Sequence, residues 1–156
     1  MNGAATTSTL TAVTPGVAPT AGAQEGASSP PAGPRGQVLV VEDEPGLAEV
    51  LAVHLQASGY EPVIAHDGLE ALYMLDQITP RAVLLDLHIP QVSGFRFIQL
   101  LKQRAETPQI PVIVITALSF QEAEEAVRAG ADDFVTKPFL PEEVVSRVDR
   151  VVARLG

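Results

Sequence analysis

The segment that decides the fold reads Val83-Leu84-Leu85-Asp86-Leu87-His88-Ile89-Pro90, an apolar run that stops at a carboxylate. Three other segments share the design of an apolar run next to polar groups that bind phosphate or metal: residues 38–45, 112–117 and 132–139. Such short, continuous apolar runs are typical of strands buried on both faces of a parallel sheet. Because the carboxyl ends of parallel strands lie at one edge, the sequence predicts a single pocket there. Its members would be Glu42, Asp43, Asp86, Thr116 and Lys137.

From Gln37 onward, the apolar runs alternate with amphipathic stretches. This alternation predicts the α/β class, with a parallel five-stranded sheet covered by helices on both faces. The predicted strands are 38–42, 61–65, 82–86, 111–115 and 132–135, and the predicted helices are 46–57, 68–77, 94–104, 120–129 and 141–154. Helical spacing predicts that Leu47, Val50, Leu51 and Leu55 pack on the sheet. Gly59 and Gly130 are expected to end helices, and Asp67 and Ser93 to cap them.

Residues 1–36 have a different composition, dominated by Ala, Thr, Gly, Pro and Ser and without an aromatic residue. Such a segment buries too little apolar surface to offset the entropy of ordering, so we predict a disordered leader. A partner-binding or tethering segment is the alternative. Residues 37–156 are predicted to form one domain, with no second domain after the last helix.

Charge and composition exclude several classes of protein. The 156-residue chain has a formal net charge of −9 and no cysteine. An acidic domain lacks the basic surface that binds nucleic-acid phosphates, so we expect no direct nucleic-acid contact. No apolar run approaches the length of a membrane span, and the N-terminus does not resemble a signal peptide. We therefore expect a cytoplasmic chain without membrane contact.

The predicted pocket has the composition of a magnesium site. Mg²⁺ prefers hard oxygen ligands, which Glu42, Asp43 and Asp86 supply. Three adjacent carboxylates repel one another, which is a physical reason to expect a divalent cation. Each acidic residue taken singly is more often a solvated loop residue, but their coincidence at the predicted strand ends favours a site.

The same pocket predicts phosphoryl chemistry. Asp86 is the candidate nucleophile, since a carboxylate can form an aspartyl phosphate. Lys137 is the candidate cation, and a cis bond to Pro138 would aim it inward. Thr116 offers a hydroxyl donor. Singly, this lysine would be read as a surface residue and this threonine as a strand residue. On general grounds Phe134 is expected in the core. The three histidines, His54, His66 and His88, show no metal-ligand spacing, so we assign their imidazoles no catalytic role.

Residues 37–156 resemble the receiver domain of two-component response regulators. The resemblance rests on four motifs in order: the acidic pair Glu42-Asp43, Asp-Leu-x-x-Pro from Asp86, Thr116-Ala117, and Ala-Asp-Asp-Phe-x-x-Lys-Pro-Phe over residues 131–139. It implies a flavodoxin-like, doubly wound sheet of order 2-1-3-4-5. It also implies roles: Asp86 as phosphoacceptor, Glu42, Asp43 and the His88 backbone carbonyl as further Mg²⁺ ligands, Thr116 and Lys137 as phosphoryl ligands, and Phe134 as switch aromatic. The chain departs from the family pattern in having Glu-Asp for Asp-Asp and Phe for Tyr.

The resemblance implies a signalling module and not an enzyme. A sensor histidine kinase or a histidine phosphotransfer protein would phosphorylate Asp86, and a downstream protein would read the change, with no output domain expected in this chain. One alternative is a metal-dependent enzyme of similar fold that acts on small phosphates, but Asp86-Leu87-His88 lacks the second acid of an Asp-x-Asp pair. Another is a pseudo-receiver that serves only as a binding scaffold, against which the complete set of acidic, Thr and Lys residues argues.

Overall fold

Five strands alternate with five helices along the part of the chain that the computed structural model describes, residues 35–105, 109–117 and 119–155. In chain order the elements are β1 (Gln37–Val41), α1 (Pro45–Ala57), β2 (Glu61–Ala65), α2 (Gly68–Leu75), β3 (Ala82–Leu85), α3 (Gly94–Gln103), β4 (Val112–Thr116), α4 (Phe120–Ala129), β5 (Asp133–Thr136) and α5 (Pro141–Arg154). Every predicted element is present, and the ends differ from the predicted ones by at most two residues.

All five strands pair in parallel, in the order β2-β1-β3-β4-β5. The α/β class and the strand order are therefore confirmed. β3 is central, with Val38 opposite Ala82 on one side and Val83 opposite Val112 on the other. Asp86, the residue that follows β3, consequently lies at the middle of the carboxyl edge.

Alternate strand residues face opposite sides of the sheet and build two cores. On one side Leu39, Val83 and Val112 pack with α2, α3 and α4, where Phe97 is fully buried. On the other side Val38 and Leu84 pack with α1 and α5. Full burial of each such side chain contributes about 1.5–3 kcal/mol. Among the described residues, no helix has both the length and the apolar character needed to cross a membrane.

The predicted helix ends are confirmed, and the predicted buried face of α1 is confirmed except for one residue. The side chains of Asp67 and Ser93 accept hydrogen bonds from the first turns of α2 and α3, while Gly59 and Gly130 have φ of 95° and 120°. Val50, however, is 42% exposed, so the prediction that it packs on the sheet is wrong. It lies about 100° around the helix from Leu51 and outside the buried stripe of α1.

The predicted leader lies outside the described residues except for Arg35 and Gly36, which contact the domain. The Arg35 amide donates to the Gly59 carbonyl at 2.7 Å, and its guanidinium lies 4.5 Å from the centre of the Tyr60 ring. The same guanidinium pairs with Asp149 on α5 at 3.1 Å. Arg35 thus joins the β2 entry to α5, at the edge of the sheet opposite Asp86.

Candidate functional site

Residues from three strand ends meet at the carboxyl edge of the sheet. Glu42 and Asp43 follow β1 and Asp86 follows β3, and a carboxylate oxygen from each lies within 4.8 Å of the other two. Lys137 follows β5 and places Nζ 3.0 Å from Asp86 Oδ2 and 3.6 Å from Glu42 Oε1. The structure thus brings together residues that are separated by up to 95 positions in the chain.

Burial makes this carboxylate group unusual. Glu42 is only 2% exposed and Asp86 6% exposed, whereas Asp43 faces solvent. Burial raises the pKa of Glu42 to about 7, and the Asp86 carboxylate adds to the rise. Lys137 and the amide of Glu44, which donates to Glu42 Oε2 at 3.2 Å, act in the opposite direction. Without a metal ion, the pocket therefore opposes ionisation of Glu42 near neutral pH.

Lys137 supplies a positive charge to this group. Burial by itself lowers the pKa of its ammonium, but the hydrogen bond to Asp86 and the attraction of Asp86 and Glu42 outweigh burial and raise it. Its backbone amide donates to the Thr116 carbonyl at 3.2 Å, and the Lys137–Pro138 peptide bond is cis, as suggested by the sequence. Lys137 is therefore charged and held beside the candidate nucleophile.

Both oxygens of Asp86 have a donor. Oδ1 accepts from the His88 amide at 2.9 Å, and Oδ2 accepts from Lys137. The His88 imidazole is exposed, with Nε2 3.6 Å from Glu122 Oε2 on α4. The backbone of His88 therefore borders the site, and its carbonyl stays a predicted metal ligand.

The loop after Asp86 depends on a residue that sequence reasoning missed. The Gly94 amide donates to the Leu87 carbonyl at 3.0 Å, and a Cβ at position 94 would lie 2.5 Å from the Leu87 Cα. Only a glycine allows this approach of the two backbones. The signal available in the sequence was a glycine directly after the capping residue Ser93.

Thr116 and Phe134 lie on the neighbouring strands β4 and β5. Thr116 is buried at the carboxyl end of β4, opposite Thr136. Phe134 is 38% exposed, so the general expectation that it belongs to the core is wrong. It lines a surface groove of about 420 Å³ with two exposed residues of α4, Phe120 and Val127. Phe120 was not singled out in the sequence, although an aromatic side chain at the start of a polar helix was a signal for it.

The carboxylate group fits Mg²⁺ by its chemistry. It offers three hard oxygen donors from Glu42, Asp43 and Asp86, and Asp43 keeps one side open to solvent. Mg²⁺ usually retains several waters and needs only a few protein oxygens. A divalent cation would also relieve the repulsion between the buried Glu42 and Asp86. The residues present therefore fit a magnesium ion.

Comparisons with known proteins agree with this geometry. The family model described as the response regulator receiver domain matches residues 38–149. The phosphate regulon transcriptional regulatory proteins PhoB of Klebsiella pneumoniae and of Escherichia coli (strain K12) are 43% and 41% identical over 123 residues, each match covering 77% of this chain and 53% of the relative. The chain thus spans about half the length of these curated relatives.

Two solved structures share this fold over nearly the whole length of their own chains. The chemotaxis response regulator CheY4 of Vibrio cholerae is 28% identical, with a TM-score of 0.70 and coverage of 74% of this chain and 97% of that one. The receiver domain of the sensor histidine kinase PA1611 from Pseudomonas aeruginosa PAO1, with a magnesium ion in its active-site cleft, is 27% identical, with a TM-score of 0.71 and coverage of 78% and 99%. The chain belongs to the response regulator receiver domain family, whose members are regulatory phosphoacceptor domains of two-component signalling and not enzymes.

Proposed function

We propose that Asp86 accepts a phosphoryl group from a sensor histidine kinase or a histidine phosphotransfer protein, and that the modified domain changes its affinity for a downstream protein. The observation that carries the proposal is the environment of Asp86. This buried carboxylate lies at a central strand end, 3.0 Å from Lys137 and within 4.8 Å of Glu42 and Asp43. Such a site supplies a nucleophile and charge neutralisation, which are the main requirements of phosphoryl transfer.

In the proposed step, a carboxylate oxygen of Asp86 forms a bond to phosphorus while the bond from phosphorus to the donor's imidazole nitrogen breaks. The electron pair of that broken bond stays on the imidazole. Lys137 exchanges its ion pair with Asp86 for one with a phosphoryl oxygen, and the Thr116 hydroxyl donates to another. Mg²⁺ held by Glu42, Asp43, Asp86 and the His88 carbonyl would neutralise the developing charge.

The surface beside the switch residues supports a protein as the reader of phosphorylation. Phe134, Phe120 and Val127 expose apolar side chains around one groove between β5 and α4. Contiguous apolar surface of this kind is typical of protein-binding sites. We propose that phosphorylation alters this surface through Thr116 and Phe134, so that the face formed by α4, β5 and α5 binds the partner.

We propose that the receiver portion itself does not bind DNA. Its net charge of −9 opposes contact with a phosphate backbone. The transcriptional role in the names of the PhoB relatives belongs to proteins about twice as long as the matched segment. Any DNA contact would require a partner or residues outside the receiver.

The test is labelling with acetyl phosphate and Mg²⁺, followed by mass spectrometry. We expect a base-labile acyl phosphate on Asp86, no label in Asp86→Asn, and no label with EDTA. Asp149→Asn removes a carboxylate at the opposite edge of the sheet and should label at the wild-type rate. Labelling of Asp86→Asn at the wild-type rate, or indifference to EDTA, would contradict the proposal. Catalytic turnover of a free phosphomonoester would favour the alternative of a phosphate-handling enzyme.

A further inference from the structure

A second apolar groove lies between α2 and α3, away from the groove beside Phe134. It has a volume of about 700 Å³. Leu69 and Tyr73 of α2 form one wall and are 59% and 66% exposed, and Leu100 of α3 contributes to the opposite side. Leu69 and Tyr73 are four residues apart and therefore lie on the same face of the helix.

The composition of α2 indicates that this face is normally covered. Ala71 and Leu75 face the core, while Leu69 and Tyr73 face outward, so the helix has apolar residues on both sides. Glu70 is its only charged residue, whereas α5 has six. A helix that is apolar nearly all round is usually buried against something on each side. In the described part of the chain, no element covers the outward side of α2.

The charged side chains that line the groove indicate which charge a bound partner should carry. Three carboxylates line the groove, those of Asp67, Glu70 and Asp76, together with one cation, Arg104. Arg104 is already paired with Asp76. The remaining charge is negative, so a bound segment gains from carrying a Lys or Arg beside its apolar side chains.

We propose that the α2–α3 groove is a docking site for an amphipathic helix of a partner protein. Apolar side chains of that helix, spaced i and i+4, contact Leu69 and Tyr73, and a cationic side chain lies over Asp67 and Glu70. A tyrosine in the wall of such a groove suits this role, because its ring gives large contact area at low entropic cost. This surface is distinct from the α4-β5-α5 face, and its use does not depend on phosphorylation of Asp86.

The test is an NMR titration of the full chain with a synthetic helical peptide of about 15 residues, with leucines at i and i+4 and lysines beside them. We expect saturable shifts centred on residues 68–75 and 94–103. Replacing the peptide's lysines by glutamates should weaken binding at least tenfold, and so should the double variant Leu69→Ser, Tyr73→Ser. Val53→Ser, which changes an exposed apolar residue on α1, is the matched control and should leave binding unchanged.

Four results of the titrations would overturn the proposal: absence of binding, shifts centred on Phe120 and Phe134, equal affinity for the acidic peptide, or wild-type affinity in the double variant. If the double variant fails to fold, Tyr73→Ser alone replaces it, because that side chain is largely exposed. Sedimentation velocity of the chain alone tests self-association. A dimer that Tyr73→Ser dissociates would assign the groove to a second copy and would also overturn the proposal. Repeating the titration with Asp86→Asn separates this result from the phosphoacceptor chemistry.

Discussion

Gly94 shows how one residue without a side chain supports the candidate site. Its backbone packs on Leu87, the residue next to Asp86, and a Cβ would lie 2.5 Å from the Leu87 Cα and 2.9 Å from its carbonyl oxygen. Both neighbours are backbone atoms, which cannot move aside as a flexible side chain can. Any side chain at position 94 therefore forces the loop that positions Asp86 to shift.

We predict that Gly94→Ala destabilises the fold by about 1–3 kcal/mol, the usual cost of overpacking, and slows labelling of Asp86. Gly46→Ala is the matched control, since a Cβ there would have no neighbour within 4 Å. In a helix that change should be neutral or stabilise by up to about 1 kcal/mol. Urea unfolding and acetyl-phosphate labelling check both variants. Equal stability of the two would show that the Leu87 loop can move.

Tyr60 gives a pH-dependent prediction far from the site. Burial raises its pKa to about 12, and the hydrogen bond from its hydroxyl to Asp149, 2.7 Å long, adds to the rise. In the unfolded chain, the tyrosine phenol ionises near pH 10. The folded state thus prefers the neutral phenol, so this stabilisation is complete below pH 10 and is lost as pH rises towards 12.

Tyr60→Phe should cost about 0.5–1.5 kcal/mol at pH 7, because it removes the hydrogen bond. It should also flatten the decline of stability between pH 10 and 12. Tyr73→Phe, at an exposed position, should follow the wild-type pH profile. Denaturant unfolding at several pH values measures the effect. A decline in Tyr60→Phe as steep as that of the wild type would assign the alkaline loss to other groups.

The sequence could predict those site residues that directly follow an apolar strand, because the carboxyl ends of parallel strands lie at one edge of the sheet. Glu42, Asp86 and Lys137 each follow an apolar strand, so a local pattern located them. Gly94 and the Tyr60–Asp149 pair depend on contacts between residues far apart or on backbone clearance, which no local pattern encodes. Phe134 could not be placed for a related reason, because strand membership does not say whether a neighbouring helix covers the side chain.

At the scale of elements, the periodicity of apolar residues predicted where strands and helices lie better than it predicted which face of a helix is buried. The apolar runs located all five strands, and the strand order came from resemblance to the receiver family and not from the periodicity. For α1, four apolar residues fitted one helical face, yet Val50 lies outside the buried stripe. The width of such a stripe is set by how α5 and the sheet meet the helix, which depends on tertiary packing.

The pairing of β4 with β5 suggests how the pocket communicates with the surface. Thr116 is buried at the end of β4, and Phe134 lies on the adjacent strand, opposite Val114. We predict that a phosphoryl group draws the Thr116 hydroxyl inward and opens space into which Phe134 turns. A shift of about 1–3 kcal/mol in the equilibrium between the outward and inward positions of Phe134 would change partner affinity severalfold or more.

Thr116→Ala should therefore uncouple the response from phosphorylation more than it blocks phosphorylation. With a beryllofluoride mimic of the phosphoryl group, NMR shifts in the wild type should reach α4, β5 and α5, whereas in Thr116→Ala they should stay near Asp86. Thr136→Ala is the matched control, since Thr136 is the exposed partner of Thr116 in the strand register. Shifts confined to the pocket in the wild type would rule out the switch.

In the domain as a whole, the carboxyl edge of the sheet holds the candidate site, and the opposite edge holds contacts that stabilise the fold. The carboxyl edge gathers Asp86 and its partners, while at the opposite edge Arg35 connects Tyr60 to Asp149. Arg35 and Asp149 are both partly exposed, so their ion pair contributes less than about 1 kcal/mol. The contact of the guanidinium with the Tyr60 ring adds about 0.5–1 kcal/mol. Arg35 therefore acts as an anchor of modest strength at the start of the domain.

We predict that deleting residues 1–34 leaves thermal stability and Asp86 labelling unchanged, because that composition offers almost no apolar surface to the core. Deleting residues 1–36 removes the Arg35 anchor and the carbonyl that accepts from the Glu61 amide, and should lower stability by about 1–2 kcal/mol. For a domain of this size that loss corresponds to a drop of roughly 4–8 °C in Tm. Arg35→Ala in the full chain isolates the anchor and should reproduce about half of the drop. Thermal melts and labelling rates check all three variants. A lower Tm on removal of residues 1–34 alone would show that the leader packs on the domain, and equal melts for both truncations would show that Arg35 contributes nothing.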